Sequence, residues 1–354
     1  MNLSELSDFA IDVLKKLIET PSFSREEQGT LAIFDHIFRE KNIPFQTIGN
    51  NIWVKNKFFS PEKDTILLNS HHDTVKPNAG YTRDPFKAEI IDGKLFGLGS
   101  NDAGGPLVSL LATFLYFNEK ENLPFNLIFG ASAEEEISGK NGVELLLTDL
   151  PKIALAIVGE PTLMDMAIAE KGLMVLDCTA KGVAGHAARD EGKNAIYKAM
   201  NDIEWFGTFD FPKTSATLGP IKMSVTQINA GTQHNVVPDV CNFVVDVRAT
   251  DSYTLEETLA IIKENVNCEV VPRSIRLRPS GISTDHPIVK RGLELGMKPY
   301  GSPTLSDQAL MPFTSIKIGP GDSARSHTAD EFIYVDEIKK GIEGYVGLLE
   351  GMVL

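Results

Sequence analysis

The stretch Thr65-Ile66-Leu67-Leu68-Asn69-Ser70-His71-His72-Asp73-Thr74-Val75 decides how the rest of the chain is read. An apolar run that leads straight into SHHDTV, Ser70 to Val75, has the pattern of a buried strand whose C-terminal end opens into a site. Residues two apart on an extended chain point to the same face, so His71 and Asp73 share a side and His72 faces away. One of the pair can ligate a metal while the other orients it. Taken alone, a histidine beside a carboxylate is more often a simple hydrogen-bonded pair.

Upstream, Leu6, Phe9, Ala10, Val13, Leu14, Leu17 and Ile18 fall at helical spacing, and Thr20-Pro21 ends an amphipathic helix. Ser24 with Glu27 reads as a capping box for a second helix carrying Leu31, Phe34 and Phe38. Short strands are expected near 45–48 and 52–54. Downstream, 77–93 reads as a loop leading into FGLGSNDAGG, 96–105, where glycines crowd around Asp102. A helix with Leu107, Val108, Leu111, Phe114 and Leu115 follows. The strand Leu127-Ile128-Phe129 then runs into ASAEEEISG, and a strand at 153–158 ends in GEPT with Glu160 at its tip. Strands alternating with helices make this part α/β.

After about Glu170 the texture changes. A strand at 173–181, a loop with His186, a helix near 194–205, strands at 222–227 and 241–248, a helix at 254–265 and a strand at 268–276 form an open-faced α+β module. From Gly281 a helix near 286–295, a strand near 315–318 and a last helix from Val335 suggest a return to the first domain. The expected organisation is one discontinuous domain, 1–170 and 281–354, interrupted by 171–280.

A chain of 354 residues exceeds one comfortable core, and its 42% hydrophobic content suits a soluble globular protein. Its net charge of -14 opposes binding to nucleic acid or anionic membrane, because both need clustered Lys and Arg. Cys178, Cys241 and Cys268 form no CxxC pair, so neither a disulfide framework nor a thiolate zinc site is expected. The start MNLSELSDFAIDVLKK has no apolar run long enough for a signal peptide or membrane span. A cytoplasmic location is expected.

His71, Asp102, Glu136, Glu160 and His327 are nitrogen and oxygen donors in strand-end or glycine-rich contexts, where an α/β sheet gathers its site. Five such ligands suit two zinc ions, with Asp102 as the natural bridging carboxylate and water completing the site. Next to Glu136 stands a free carboxylate placed to take a proton from water. Each element alone is an ordinary acidic turn or loop histidine, but their joint occurrence reverses that balance.

These motifs resemble the M20 family of dinuclear zinc metallopeptidases and deacylases over essentially the whole chain. SHHDTV, GLGSNDAGG, SAEEE, GEPT and GPGDSARSH each look like a family motif. The resemblance implies a zinc-peptidase-like α/β catalytic domain with a mixed central sheet flanked by helices, and an inserted α+β dimerisation or lid domain. It implies that His71 and Glu160 bind one zinc, Glu136 and His327 the other, that Asp102 bridges and Asp73 orients His71. Glu135 would be the general base, although a slip of one residue would make Glu134 the base and Glu135 the ligand. Cobalt or manganese would also suit these ligands.

In the inserted module, GVAGHAA is similar to the family motif whose histidine, here His186, reaches a partner subunit's site in a homodimer to stabilise the oxyanion. HNVVP with Asn235 and DVR with Arg248 resemble substrate-holding positions, and the Arg248 fork would suit a carboxylate. Gly319-Pro320-Gly321 would supply close backbone approach near His327. Leu98, Gly104 and Ala230 depart from residues common in relatives, and His72 is given no function. Lys171-Gly172 looks most like acetylornithine deacetylases. The implied activity is deacylation of a small N-acyl amino acid in arginine biosynthesis, N-acetylornithine or an N-acetyl- or N-succinyl-citrulline. The alternatives are a di- or tripeptidase, a succinyl-diaminopimelate desuccinylase, and a catalytically silent metal-binding relative.

Overall fold

A computed structural model of the chain describes residues 2–189 and 191–354. The chain opens with helix α1 (Leu3–Ile18), started by an Asn2–Glu5 capping box and burying Leu6, Ala10, Val13, Leu14 and Ile18. Helix α2 (Gln28–Glu40) follows, and here the expected capping box is not formed. Ser24 instead donates its hydroxyl to Asp73 Oδ2 at 2.6 Å, and the Glu27 carboxylate receives the N–H groups of Arg25 and Glu134 and the Asn50 amide. Tertiary partners outcompete the local cap.

Next come β1 (Phe45–Ile48), β2 (Asn51–Lys55) and β3 (Thr65–His71), the last buried along its whole length. The stretch expected to be a loop carries β4 (Glu89–Ile91), which pairs with β5 (Lys94–Phe96) in a hairpin. Pro106 sits in the first turn of α3 (Gly105–Asn118), where its missing N–H is harmless. The first stretch ends with β6 (Asn126–Ser132), α4 (Val143–Leu147), β7 (Leu155–Val158) and β8 (Met166–Glu170).

The middle of the chain holds β9 (Gly172–Lys181), β10 (Gly185–His186), α5 (Ala195–Thr208), β11 (Lys222–Ala230), β12 (Val236–Val237), β13 (Val240–Ala249), α6 (Leu255–Asn265) and β14 (Glu269–Pro272). The last stretch adds β15 (Ser280–Gly281), α7 (Pro287–Glu294), β16 (Pro299–Ser302), β17 (Ser315–Lys317), β18 (Phe332–Tyr334) and α8 (Val335–Leu349). The chain divides into two compact units, one of residues 1–168, 281–300 and 306–354, the other of residues 169–280 and 301–305.

In the first unit the sheet runs β1-β2-β6-β3-β7-β17-β8. Its centre is parallel, β6 and β7 flanking β3 and β17 following β7, while β2 joins β6 and β8 joins β17 antiparallel. The sheet is therefore mixed, with helices covering it. Alternation along β3 sends Ile66 and Leu68 into the main core with α1, α3 and α8 residues, and Leu67 into a second cluster with Trp53, Ile128 and Leu146. Both faces being apolar, the chemistry of β3 is confined to its end. The parallel strands β3, β6, β7 and β17 all finish on one edge, where an α/β sheet forms its site.

The second unit is an antiparallel sheet in the order β11-β13-β9-β14. Met174, Leu176, Cys178 and Ala180 of β9 and Cys241, Phe243, Val245 and Val247 of β13 alternate onto its buried side, with Ala195, Ala199 and Phe206 of α5 and Leu255 and Ile262 of α6 in the same cluster. The strand expected at 268–276 is only four residues long. Cys178, Cys241 and Cys268 are free thiols. Among the described residues no helix is long and apolar enough to cross a membrane.

Candidate metal centre

At the end of β3 the buried His71 ring places Nδ1 3.0 Å from the carbonyl oxygen of Asp73. A carbonyl only accepts, so Nδ1 carries the hydrogen and Nε2 is turned toward acids. Nε2 lies 3.3 Å from Asp102 Oδ1, 3.8 Å from Glu160 Oε1 and 3.9 Å from Glu135 Oε2. On the other side, His327 Nε2 is 3.0 Å from Glu136 Oε2 and 3.7 Å from Asp102 Oδ2. Asp102 thus turns one oxygen to each imidazole, the disposition of a bridge.

Donor atoms of two trios, His71 with Asp102 and Glu136, and His71 with Glu135 and Glu160, lie within 4.8 Å of one another. Hard carboxylate oxygens with imidazole nitrogens are the donor set of zinc, cobalt or manganese. Electrostatics point the same way. Burial alone would lower the His71 pKa, yet hydrogen bonds accepted by the Asp102 and Asp73 carboxylates and the charges of Glu135 and Glu160 raise it well above the ordinary value. The hydrogen bond to Glu136 lifts His327 to about 9 despite partial burial. Burial, with Glu160, Asp307 and Glu136 nearby, pushes Glu135 well above the glutamate range, against the pull of His71. So much negative charge around two imidazoles calls for cations, and the residues fit a pair of divalent ions.

The acidic turn resolves into distinct positions. Glu134 takes a left-handed conformation, φ 52°, and its side chain is held away by Asn141, whose Nδ2 and N–H donate to Oε1 and Oε2 at 3.0 and 3.3 Å. A side chain at Gly139 would put its Cβ 1.9 Å from Glu134 Oε2, so glycine is required there. Glu135 and Glu136 are left facing the two histidines.

Asp73 lies against His71 and also reaches the acidic turn. Its backbone carbonyl and its carboxylate both meet the His71 ring, Oδ1 lying 3.4 Å from Nδ1, and the same carboxylate holds the acidic turn, Oδ1 receiving Glu135 N–H at 3.0 Å and Oδ2 receiving Glu136 N–H at 3.2 Å. Burial pushes its carboxyl up, but His71, Ser24 and the Glu135 N–H bring it below the usual aspartate range. His72, on the opposite face, is a satisfied core residue between the Thr30 hydroxyl at 2.8 Å and the Asn50 carbonyl at 2.9 Å. Gly319 lets the chain approach Glu160, since a Cβ there would lie 2.4 Å from the Glu160 carbonyl oxygen.

Sequence reasoning missed three acids around this centre. Glu27 braces Glu134 from the start of α2. Asp307 is 3% exposed and accepts from Asn69 and Ser132 at 2.9 and 2.6 Å, and burial lifts its carboxyl to about 6. Glu331 is 2% exposed and receives the N–H groups of Gly99, Asn101 and Asp102, with burial and the Asp102 charge raising it to about 8. Its one signal was an acid four residues beyond His327.

The other expected site residues belong to the second unit. His186 is exposed on β10 opposite Val236, its Nδ1 accepting Ala188 N–H at 3.1 Å, and the Asn235 carbonyl accepts Ala187 N–H at 3.0 Å. A cavity of about 920 Å³ nearby is lined by Arg189, Asn194, Gln233 and His234 among others. Arg248, on β13, is engaged by Asp246 through two bonds of 2.9 and 3.1 Å. Lys171 donates to the Pro220 carbonyl at 2.9 Å.

Residues 67–351 match the model of peptidase family M20/M25/M40. Succinyl-diaminopimelate desuccinylase of Cereibacter sphaeroides is 29% identical over 255 residues, 67% of each chain. The LysW-lysine/LysW-ornithine hydrolase of Sulfurisphaera tokodaii is 25% identical over 360 residues, 99% of this chain and 96% of that one. Among solved structures, aminopeptidase PepT from Bacillus cereus superposes with a TM-score of 0.79 at 18% identity, covering 99% of this chain and 98% of that one. A dinuclear metal-binding M20 peptidase from Bacillus subtilis gives 0.75 at 14% identity, covering 98% of each.

Proposed function

Since the chain belongs to peptidase family M20/M25/M40 and is a metal-dependent hydrolase, we propose that it removes an acyl group from the amino group of a small amino acid, with acylated ornithine or citrulline as leading candidates. The observation that carries this reading is the Glu135 carboxyl 3.9 Å from His71 Nε2, with Glu160 in the same trio of donors and Asp102 and Glu136 in a second trio that shares His71.

His71 and Glu160 would hold one divalent ion and Glu136 and His327 the other, with Asp102 between them. Bound there, the ions, proposed to be zinc, supply Lewis-acid polarisation of the amide carbonyl and make water more acidic. Glu135 removes the proton from the attacking water and returns it to the departing amine nitrogen. Asp73 keeps the Glu135 and Glu136 backbone in place while its carbonyl fixes the His71 ring. His186 is proposed to stabilise the oxyanion from a partner subunit of a homodimer, and Asn235 and Arg248 to hold the substrate, with Arg248 leaving Asp246 for the substrate carboxylate.

The relatives named for succinyl-diaminopimelate and for LysW-bound lysine or ornithine support an amide whose amine side is an amino acid. They also widen the range of acyl groups to be tested. The free thiols and a charge of -14 support a small substrate and a cytoplasmic setting. The test is amine release from N-acetylornithine, N-acetyl- and N-succinylcitrulline, N-succinyl-diaminopimelate, acyl-lysines and tripeptides, with metal analysis on the same sample. Turnover of tripeptides alone would replace deacylation by peptidase action, and no turnover of any substrate by metal-loaded protein would defeat both.

A further inference from the structure

Asp102 stands on a turn poorly suited to hold it. Gly99 is left-handed, φ 73°, and Asp102 and Ala103 depart from helical geometry, so the turn is not an extension of α3. A bridging carboxylate would nevertheless have to present one oxygen to each ion, and a shift of an ångström would favour one ion over the other.

One buried side chain takes up the N–H groups of this turn, and another, belonging to the turn, ties it to Asp322. Glu331 Oε2 accepts Gly99 N–H at 3.0 Å, and its Oε1 accepts Asn101 N–H at 2.8 Å and Asp102 N–H at 2.9 Å. Its backbone carbonyl accepts Gly97 N–H at 3.0 Å as well. On the other flank the fully buried Asn101 pairs with the backbone of Asp322, Nδ2 donating to its carbonyl at 3.0 Å and Oδ1 accepting its N–H at 3.0 Å. A Cβ at Gly321 would lie 2.6 Å from Asn101 Oδ1, so the approach depends on glycine. Both braces join the turn to residues 322–331, the segment that also carries His327.

We infer that Glu331 is a positioning residue that sets how far Asp102 reaches toward His71 and toward His327, and so governs the pairing of the two ions rather than binding of the first. The inference rests on the two-ion reading above. A carboxylate is needed because three donors arrive on two oxygens, and an amide accepts through one only. A residue that merely filled space would alter the melting temperature and leave metal stoichiometry unchanged.

The experiment titrates metal-free wild type, E331Q and N101A with Co(II), following visible absorbance, after circular dichroism has checked each fold. Wild type should saturate at two equivalents. E331Q should bind its first ion as wild type does and its second about 10- to 100-fold more weakly, with kcat recovering at high cobalt and KM unchanged. N101A removes the other brace and should show the same selective loss, and it carries the test if E331Q does not fold. Two ions bound at wild-type affinities by a folded E331Q, or by N101A where E331Q does not fold, would overturn the inference, as would equal weakening of both. Wild type binding fewer than two would defeat the two-ion reading instead.

Discussion

Replacing Asp73 by Asn probes the carboxylate that joins β3 to the acidic turn. Asp73 is 1% exposed, and its oxygens meet Glu135 N–H at 3.0 Å and His71 Nδ1 at 3.4 Å on Oδ1, and Glu136 N–H at 3.2 Å with the Ser24 hydroxyl at 2.6 Å on Oδ2. An asparagine amide has one oxygen and one NH₂. In one orientation the NH₂ opposes Glu135 N–H, and in the other it opposes Glu136 N–H, where only Ser24 can turn its hydroxyl to accept. Either way one buried backbone donor is stranded, at about 1–3 kcal/mol. Taken wholly from stability, that loss lowers Tm by roughly 2–12 °C. If instead the turn swings to recover the bond, Glu135 moves with it, and the same energy lowers kcat by roughly 5- to 150-fold. Calorimetry and steady-state kinetics on D73N, with metal content measured, distinguish the two. A Tm within about 1 °C and a kcat within about twofold of wild type would refute the assignment of this carboxylate to the turn.

Four further outcomes are expected. E135Q should lose about 10²- to 10⁴-fold in kcat while retaining metal, whereas E134Q, whose side chain is turned to Asn141, should keep most activity; the reverse ranking would mean that the shifted register is correct. Mixing E135A with H186A subunits should restore up to about a quarter of wild-type activity, because half of the random dimers would contain one intact site; no recovery after subunit exchange would remove His186 from the partner's site. Chelation should lower Tm, and returning metal to about 100 times its Kd should restore about 2.7 kcal/mol per ion, read by calorimetry. Because the Asp73 carboxyl lies below its unfolded value, its stabilisation is complete above the ordinary aspartate pKa and is lost as pH falls through the lower folded value. The Tm gap between metal-free wild type and D73N should close only in that acidic window.

The sequence made the catalytic frame legible because its signals are local. Apolar runs ending in His71, in Glu134 to Glu136 and in Glu160 mark parallel strands and their common edge without reference to any other part of the chain. The braces were not legible, because each joins residues far apart. Ser24 and Glu27 carry a capping signal at the correct spacing, yet their partners are Asp73 and Glu134, and no local pattern records that competition. Asp307 and Glu331 look like ordinary loop acids until folding buries them, Asp307 against Asn69 and Ser132 of the strands β3 and β6 and Glu331 against the backbone of the Asp102 turn. The β4–β5 hairpin was hidden for a different reason: its strands are three residues each, too short for alternation to register.

The sheet order gives the assembly of this centre a direction in time. β17, residues 315–317, lies between β7 and β8, and Glu331 reaches back 229 to 232 residues to the Asp102 turn. A ribosome releases the chain from its N-terminus, so His71, Asp102, Glu135 and Glu160 are all exposed to the cell before the strand that completes the sheet and before His327 exist. During that interval the site has His71 and its acids but neither His327 nor Glu331, whose carboxylate receives the N–H groups of the Asp102 turn. If Glu331 governs the pairing of two ions as inferred above, that pairing follows synthesis of residue 331, and a product truncated before it would retain an acidic edge without the means to organise it.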